Sequence, residues 1–185
     1  MKLEKNHSLM LSIDIQARLC SAIAASAGQN ALDSAVKSAE ALLKGGTILE
    51  VPIIESLQYV KGLGESAVSA EIARDVFEKR TFSVVYENSP LLAHLAQNPH
   101  IKQIIICGME AHICVLQSAR DLISAGYQVA LTSDAVISRN PANKANALDF
   151  IARLGGGILN VESVLFDLLQ SSEAPQFKAI SALIK

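Results

Sequence analysis

Short apolar runs alternate with helix-spaced stretches along almost the whole chain. "SLMLSID" ends at Asp14, "TILEVPII" precedes Glu55, "KQIIICG" ends in glycine, and "YQVALTSDA" stops after Asp134. Runs of four to eight apolar residues bounded by polar residues or glycine read as buried strands. Between them the apolar residues follow a helical period. Ile15, Leu19, Ala22 and Ile23 form one face, with Gly28 as a stop. Val36, Ala39, Leu42 and Leu43 form another, and Gly45-Gly46 is expected to end that helix. "SPLLAHLAQNP", "HICVLQSARDLISAG" and "NPANKANALDFIARLGGG" continue the pattern. A strand is also expected near Val76–Lys79, and a short strand and helix in "ILNVESVLFDLLQ". "ESLQYVKGLGES" has no clear period and reads as a loop.

Strand–helix alternation builds βαβ units, whose crossovers make neighbouring strands parallel. The expected fold class is α/β: one domain over residues 1–185, three layers α/β/α, with a mainly parallel, about six-stranded Rossmann-like sheet. Half of the residues are hydrophobic and only 4% aromatic, which suits aliphatic strands buried on both faces.

Charge narrows the partners. The formal net charge is −2 and no basic stretch is present, which argues against binding nucleic acid. No apolar run approaches the ~18 residues of a membrane span. The start "MKLEKNHSLM" lacks the long apolar segment of a signal peptide. Three cysteines, an odd number, fit free thiols in a reducing compartment, so a cytoplasmic location is expected.

In open parallel sheets ligands bind at the carboxyl ends of strands. Those ends carry Asp14, Glu55, Lys79, Cys107 to Cys114, and Ser133-Asp134. "CGMEAHIC" is the richest of them. It contains no C-x-x-C or H-x-x-x-H spacing, so a structural zinc site is not expected. Six residues separate its cysteines, too many for a dithiol motif. No G-x-G-x-x-G follows a strand, so no dinucleotide cofactor is expected. Cys114 falls in the first turn of the next helix, where unpaired N–H groups and the helix dipole lower a thiol pKa. Packing as a small hydrophobe is the competing reading. His112 is two residues from Cys114, and side chains at that spacing point apart on a helix. Asp14 and Lys79 could converge on Cys114 from other strands. Equally, Asp14 could cap the helix after it and Lys79 could be a solvated strand end.

Three stretches in order carry a resemblance. "LSIDIQARL", "EKRTFS" and "CGMEAHICV" resemble the D-x-Q, lysine and nucleophile-turn motifs of the isochorismatase-like cysteine hydrolase superfamily. "QYVKGLG" and "PQFKAISALIK" are similar to its isochorismatase domain-containing branch, so the likeness runs from about residue 8 to the end. It implies a triad of Asp14 as base, Lys79 as charge stabiliser and Cys114 as nucleophile. It also implies a cis peptide at Met109–Glu110, with N–H groups of Glu110 and Cys114 facing an oxyanion. Gln16, Glu55, Gln58 and His112 are the remaining candidates for the substrate pocket. Nicotinamidases of this superfamily carry an aspartate and two histidines after the second strand. "VPIIESLQYVKGLGES" has none of these, so no metal is expected. Leu19 stands where many members have Phe. The implied activity is metal-independent hydrolysis of a small amide or related C–N compound by an oligomer, with no cofactor. Enol-ether hydrolysis and a non-catalytic oligomeric scaffold of the same fold are the alternatives.

Overall fold

Ile104, Ile105 and Ile106 sit in β4 (Gln103–Met109), and all seven residues of that strand are buried. Their side chains alternate between two cores. Ile105 and Cys107 face one, Ile104 and Ile106 the other. β1 (Ser8–Ile13) does the same, with Met10 on the first face and Leu9, Leu11 and Ile13 on the second. A strand buried on both faces favours apolar residues on both, which explains these runs.

The computed structural model describes residues 1–185. The remaining strands are β2 (Ile53–Gln58), β3 (Asp75–Lys79), β5 (Gln128–Ile137) and β6 (Gly157–Leu159). The sheet has six strands in the order β3-β2-β1-β4-β5-β6, and every pairing is parallel. The helices are α1 (Ala17–Ala27), α2 (Gln29–Leu49), α3 (Val60–Leu63), α4 (Pro90–Gln97), α5 (Leu116–Ser124), α6 (Pro141–Arg153), α7 (Val161–Leu169) and α8 (Phe177–Leu183). α1, α2, α7 and α8 cover the first face; α4, α5 and α6 cover the second. The strand order reverses direction between β1 and β4, which opens a crevice at their carboxyl ends. No helix is long and apolar enough to cross a membrane.

Two boundaries differ from the sequence reading. Gly45-Gly46 does not end α2, which runs on to Leu49 and is closed by Glu50 in the left-handed region (φ 60°). A Cβ on Gly45 would lie 2.3 Å from Leu165 Cδ2, and one on Gly46 would lie 2.5 Å from Met10 Sδ. The two glycines let α2 pack closely against α7 and the sheet. Because the helix continues, β2 starts at Ile53, and Glu55–Gln58 are strand rather than loop. Their polarity hid them. Glu55, Ser56 and Gln58 each have a hydrogen-bond partner, as buried polar groups require.

The C-terminal helix docks on its own chain. Ile180 is fully buried, and Phe177 meets Phe166 edge-on at 6.2 Å.

Candidate active site

Asp14 leaves β1 with φ 54°, a left-handed conformation that aspartate tolerates better than most residues. Its N–H donates to the Ser56 carbonyl (2.9 Å), which fixes the turn against β2. Its carboxylate is fully buried. Oδ1 accepts from Ser56 Oγ at 2.9 Å, and Oδ2 accepts from Lys79 Nζ at 2.7 Å. The side chains of Asp14 and Lys79 are both 0% exposed, so they form a desolvated ion pair. Asp14 does not cap α1: Gln16 holds the N-cap position, and its side chain makes no capping bond.

Lys79 ends edge strand β3 and points inward. Its ammonium also donates to Gln58 Oε1 (2.7 Å), Phe82 O (3.1 Å) and Thr81 O (3.3 Å). All its protons are therefore engaged within the chain. A surface cavity of about 360 Å³ lined by Glu78, Lys79, Arg80, Thr81 and Tyr86 opens beside it.

Cys114 lies in a π-helical turn, Ala111–Val115, between β4 and α5. It is 6% exposed, and its thiol lies beside the Asp14 carboxylate. Burial pushes this thiol up to about 12; the charge of Asp14 adds to the rise and that of Lys79 opposes it. The lowered pKa expected from a helix N-terminus is thus not found: desolvation and Asp14's charge dominate, so the resting group is a thiol. Burial raises the Asp14 carboxyl from its usual range, while Lys79, Cys114 and Ser56 pull it back.

The Met109–Glu110 peptide is cis. Gly108 just before it has φ 128°, and a Cβ there would lie 2.1 Å from the Ile13 carbonyl oxygen. Only glycine fits where β4 passes so close to β1. The Glu110 N–H has no acceptor within the chain. The Glu110 carboxylate is buried and accepts from the backbone N–H of Arg139 (2.9 Å) and from its Nε (3.1 Å).

The pocket candidates fall in different places. Gln16 is buried, and its amide is occupied by backbone: Oε1 accepts from Gln58 N–H (2.8 Å), and Nε2 donates to the Gln58 (3.1 Å) and Gly64 (2.6 Å) carbonyls. It fastens the loop after β2 to the end of β1. Gln58 is the link between the Arg80 carbonyl and the Lys79 ammonium. Glu55 is fully buried on the opposite side of the strand, paired with Arg74 at 2.6 Å and Ser66 at 2.8 Å. That contact organises the loop from Ser66 to Arg74 rather than the catalytic rim. His112 Nδ1 lies 3.0 Å from Ser138 Oγ, at the end of β5. Nowhere do three His, Cys, Asp or Glu side chains gather in a way that could hold a metal ion. Ser56 and Arg139 were not singled out in the sequence. Finding Ser56 needs the pairing Ile13↔Ser56, and finding Arg139 needs β5 placed beside β4.

Residues 8–163 match the family model described as the isochorismatase domain. The chain belongs to the isochorismatase family. Isochorismatase domain-containing protein 1 of Danio rerio is 40% identical over 146 residues, which cover 78% of this chain and 51% of the relative. The chain thus spans about half the length of that relative. The structure of MAR1 ribonuclease from Caenorhabditis elegans is similar with a TM-score of 0.86 at 26% identity, covering 100% of this chain and 92% of that one. The YcaC gene product of Escherichia coli, described as an octameric hydrolase of unknown specificity, has the same fold. Its TM-score is 0.85 at 19% identity, covering 100% of this chain and 89% of that one. The isochorismatase-like α/β architecture expected from the three motifs is therefore present across the chain.

Proposed function

We propose that this isochorismatase-family chain is a metal-independent cysteine hydrolase of a small amide or related C–N compound. One observation carries the reading: the Cys114 thiol lies beside a carboxylate, Asp14, that Lys79 and Ser56 hold in place by hydrogen bonds. A nucleophile beside a base that a third group orients is the arrangement that activates such a nucleophile. Attack is coupled to proton transfer. Asp14 takes the thiol proton as sulfur bonds to the carbonyl carbon, and the unpartnered Glu110 N–H, with that of Cys114, faces the developing oxyanion. Asp14 then passes the proton to the leaving nitrogen as the C–N bond breaks, leaving a thioester on Cys114. Water attacks the thioester with Asp14 again as proton acceptor; the C–S bond breaks and the thiol is restored. Lys79 remains charged throughout and stabilises the carboxylate.

The closed setting of Cys114 and the net charge of −2 favour a small molecule over a polynucleotide, whatever the ribonuclease name of the nematode protein denotes there. The test is a screen of small amides, carbamoyl compounds and enol ethers, with rapid quench and mass analysis of the Cys114 peptide. An acyl adduct that forms and decays with turnover supports the thioester route. Enol-ether turnover without an adduct would replace it, and no turnover with no adduct would favour the scaffold reading.

Oligomerisation belongs to the same proposal. Val76 on edge strand β3 is 51% exposed, and Tyr59 and Phe82, just past the ends of β2 and β3, are 40% and 53% exposed. Light scattering on a sizing column should give at least a dimer at micromolar concentration; a monomer alone would remove the claim.

A further inference from the structure

The cations around the site differ in what they have left to offer. Lys79 has four acceptors within the chain. Arg18 donates to the Gly62 carbonyl. Arg80 pairs with Glu78 at 3.2 Å and lies over the Tyr59 ring at 4.1 Å. Arg139 is different. Its backbone N–H and Nε are fixed to the buried Glu110 carboxylate, while neither of its terminal Nη groups has a partner. The side chain is 52% exposed, so those donors face open space from an anchored base.

Its position is set by the sheet. Ile13 pairs with Gly108, and Met109 pairs with Ile137. Asp14 is the residue after Ile13, and Arg139 is two past Ile137, so both stand on the same rim, on either side of β4. Strands are spaced about 4.8 Å apart, which puts the ends of β1 and β5 about 10 Å apart. The nucleophile turn bridges that gap and is tied to β5 twice, by Glu110 to Arg139 and by His112 to Ser138. The Glu110 clamp therefore holds Arg139 against the turn that carries Cys114.

Resting on the hydrolase reading, we propose that Arg139 is the substrate-recognition residue for an anionic group, and that the substrate class is a short amide bearing a carboxylate at its far end. A guanidinium with two free parallel donors matches a carboxylate fork. The Glu110 anchor gives that fork a fixed aim, so less side-chain freedom is lost on binding. Asp14 and Glu110 both bring negative charge near Cys114 and would repel a carboxylate that had no cation to meet.

The test needs no knowledge of the natural substrate. Alkylation of Cys114 is followed by peptide mass spectrometry with two probes of one shape: iodoacetyl-β-alanine, an amide with a carboxylate at its far end, and its neutral primary amide. The Arg139→Ala substitution should lower the rate of the anionic probe about tenfold relative to that of the neutral one, the size of one charge-assisted hydrogen bond. Arg139→Lys should recover part of the difference, and high salt should shrink it in the unmodified protein but not in Arg139→Ala. The neutral probe reports any collapse of the turn. If Arg139→Ala changes both rates in the same proportion, Arg139 only positions Glu110, and the inference is overturned. If neither probe modifies Cys114 up to pH 10 while Cys20 reacts, the hydrolase reading itself fails and this inference falls with it.

Discussion

Replacing Lys79 with Met should lower the unfolding free energy by about 3–5 kcal/mol at neutral pH and remove turnover. The magnitude is that of breaking a buried ion pair by deleting one partner, which leaves an uncompensated charge out of water. Both side chains here are completely buried, so no solvent is available to replace Lys79. Ser56 would remain as a donor to Asp14, but a hydroxyl supplies one hydrogen bond and no charge. The pH dependence identifies the cause. Burial already raises the Asp14 carboxyl, and Lys79 is the main group opposing that rise. Without Lys79 the carboxyl goes further up. A group whose folded pKa is raised is bound more tightly by the proton in the folded state, so acid favours folding across that window. The window of the variant lies above that of the unmodified protein, and the deficit should be larger at pH 8 than at pH 5. Urea unfolding at both values checks this. A deficit below about 1 kcal/mol, the scale of a surface pair, or one independent of pH, would mean that Asp14 is not an ionised, dehydrated partner. Adding Asp14→Asn to Lys79→Met should recover part of the lost stability, because the orphaned charge is then gone.

How much of this was legible beforehand follows from the kind of signal each residue leaves. β1 and β4 are buried on both faces, so their runs are almost wholly apolar and easy to read. Strand ends in a parallel sheet share one rim, so Asp14, Lys79 and the turn holding Cys114 could be placed near one another by topology alone. β2 failed for the same physical reason that makes it useful. It carries Glu55, Ser56 and Gln58 because it supplies hydrogen bonds to the site and to the neighbouring loop, and that polarity erases the hydrophobic pattern. Gly45-Gly46 misled because a glycine pair is a stop signal in isolation, yet here each glycine vacates the volume of a neighbouring side chain. The acidity of Cys114 was misjudged because local position names the helix terminus but not the degree of burial, nor the carboxylate facing the sulfur. The Glu110–Arg139 clamp spans residues that only the β4–β5 pairing brings together.

Asp14→Asn should move two properties of Cys114 in opposite directions. Its thiol lies at about 12 because of burial first, then the Asp14 charge. Lys79 acts the other way. Asparagine keeps the shape but removes the negative charge, so the raising influence of Asp14 falls away while the lowering influence of Lys79 stays. The thiol pKa falls, the thiolate fraction at pH 8 grows, and alkylation by iodoacetamide becomes faster; each unit of decrease is about a tenfold gain in thiolate while pH remains below the pKa. Turnover should nevertheless drop by about 10²- to 10⁴-fold, the usual worth of a positioned acid–base group. The amide neither accepts the proton as the C–S bond forms nor returns it to the leaving nitrogen. A faster thiol in a slower enzyme separates a proton carrier from a packing residue, since loosened packing would leave turnover poor without selectively sharpening one cysteine's pH profile. Lys79→Met supplies the counterpart: it removes the influence that lowers the thiol pKa, so both alkylation and turnover should slow. If Asp14→Asn slows alkylation at every pH, Asp14 holds the sulfur in place rather than holding its proton. If turnover survives the substitution, the proton is carried by another group and Asp14 is not the base.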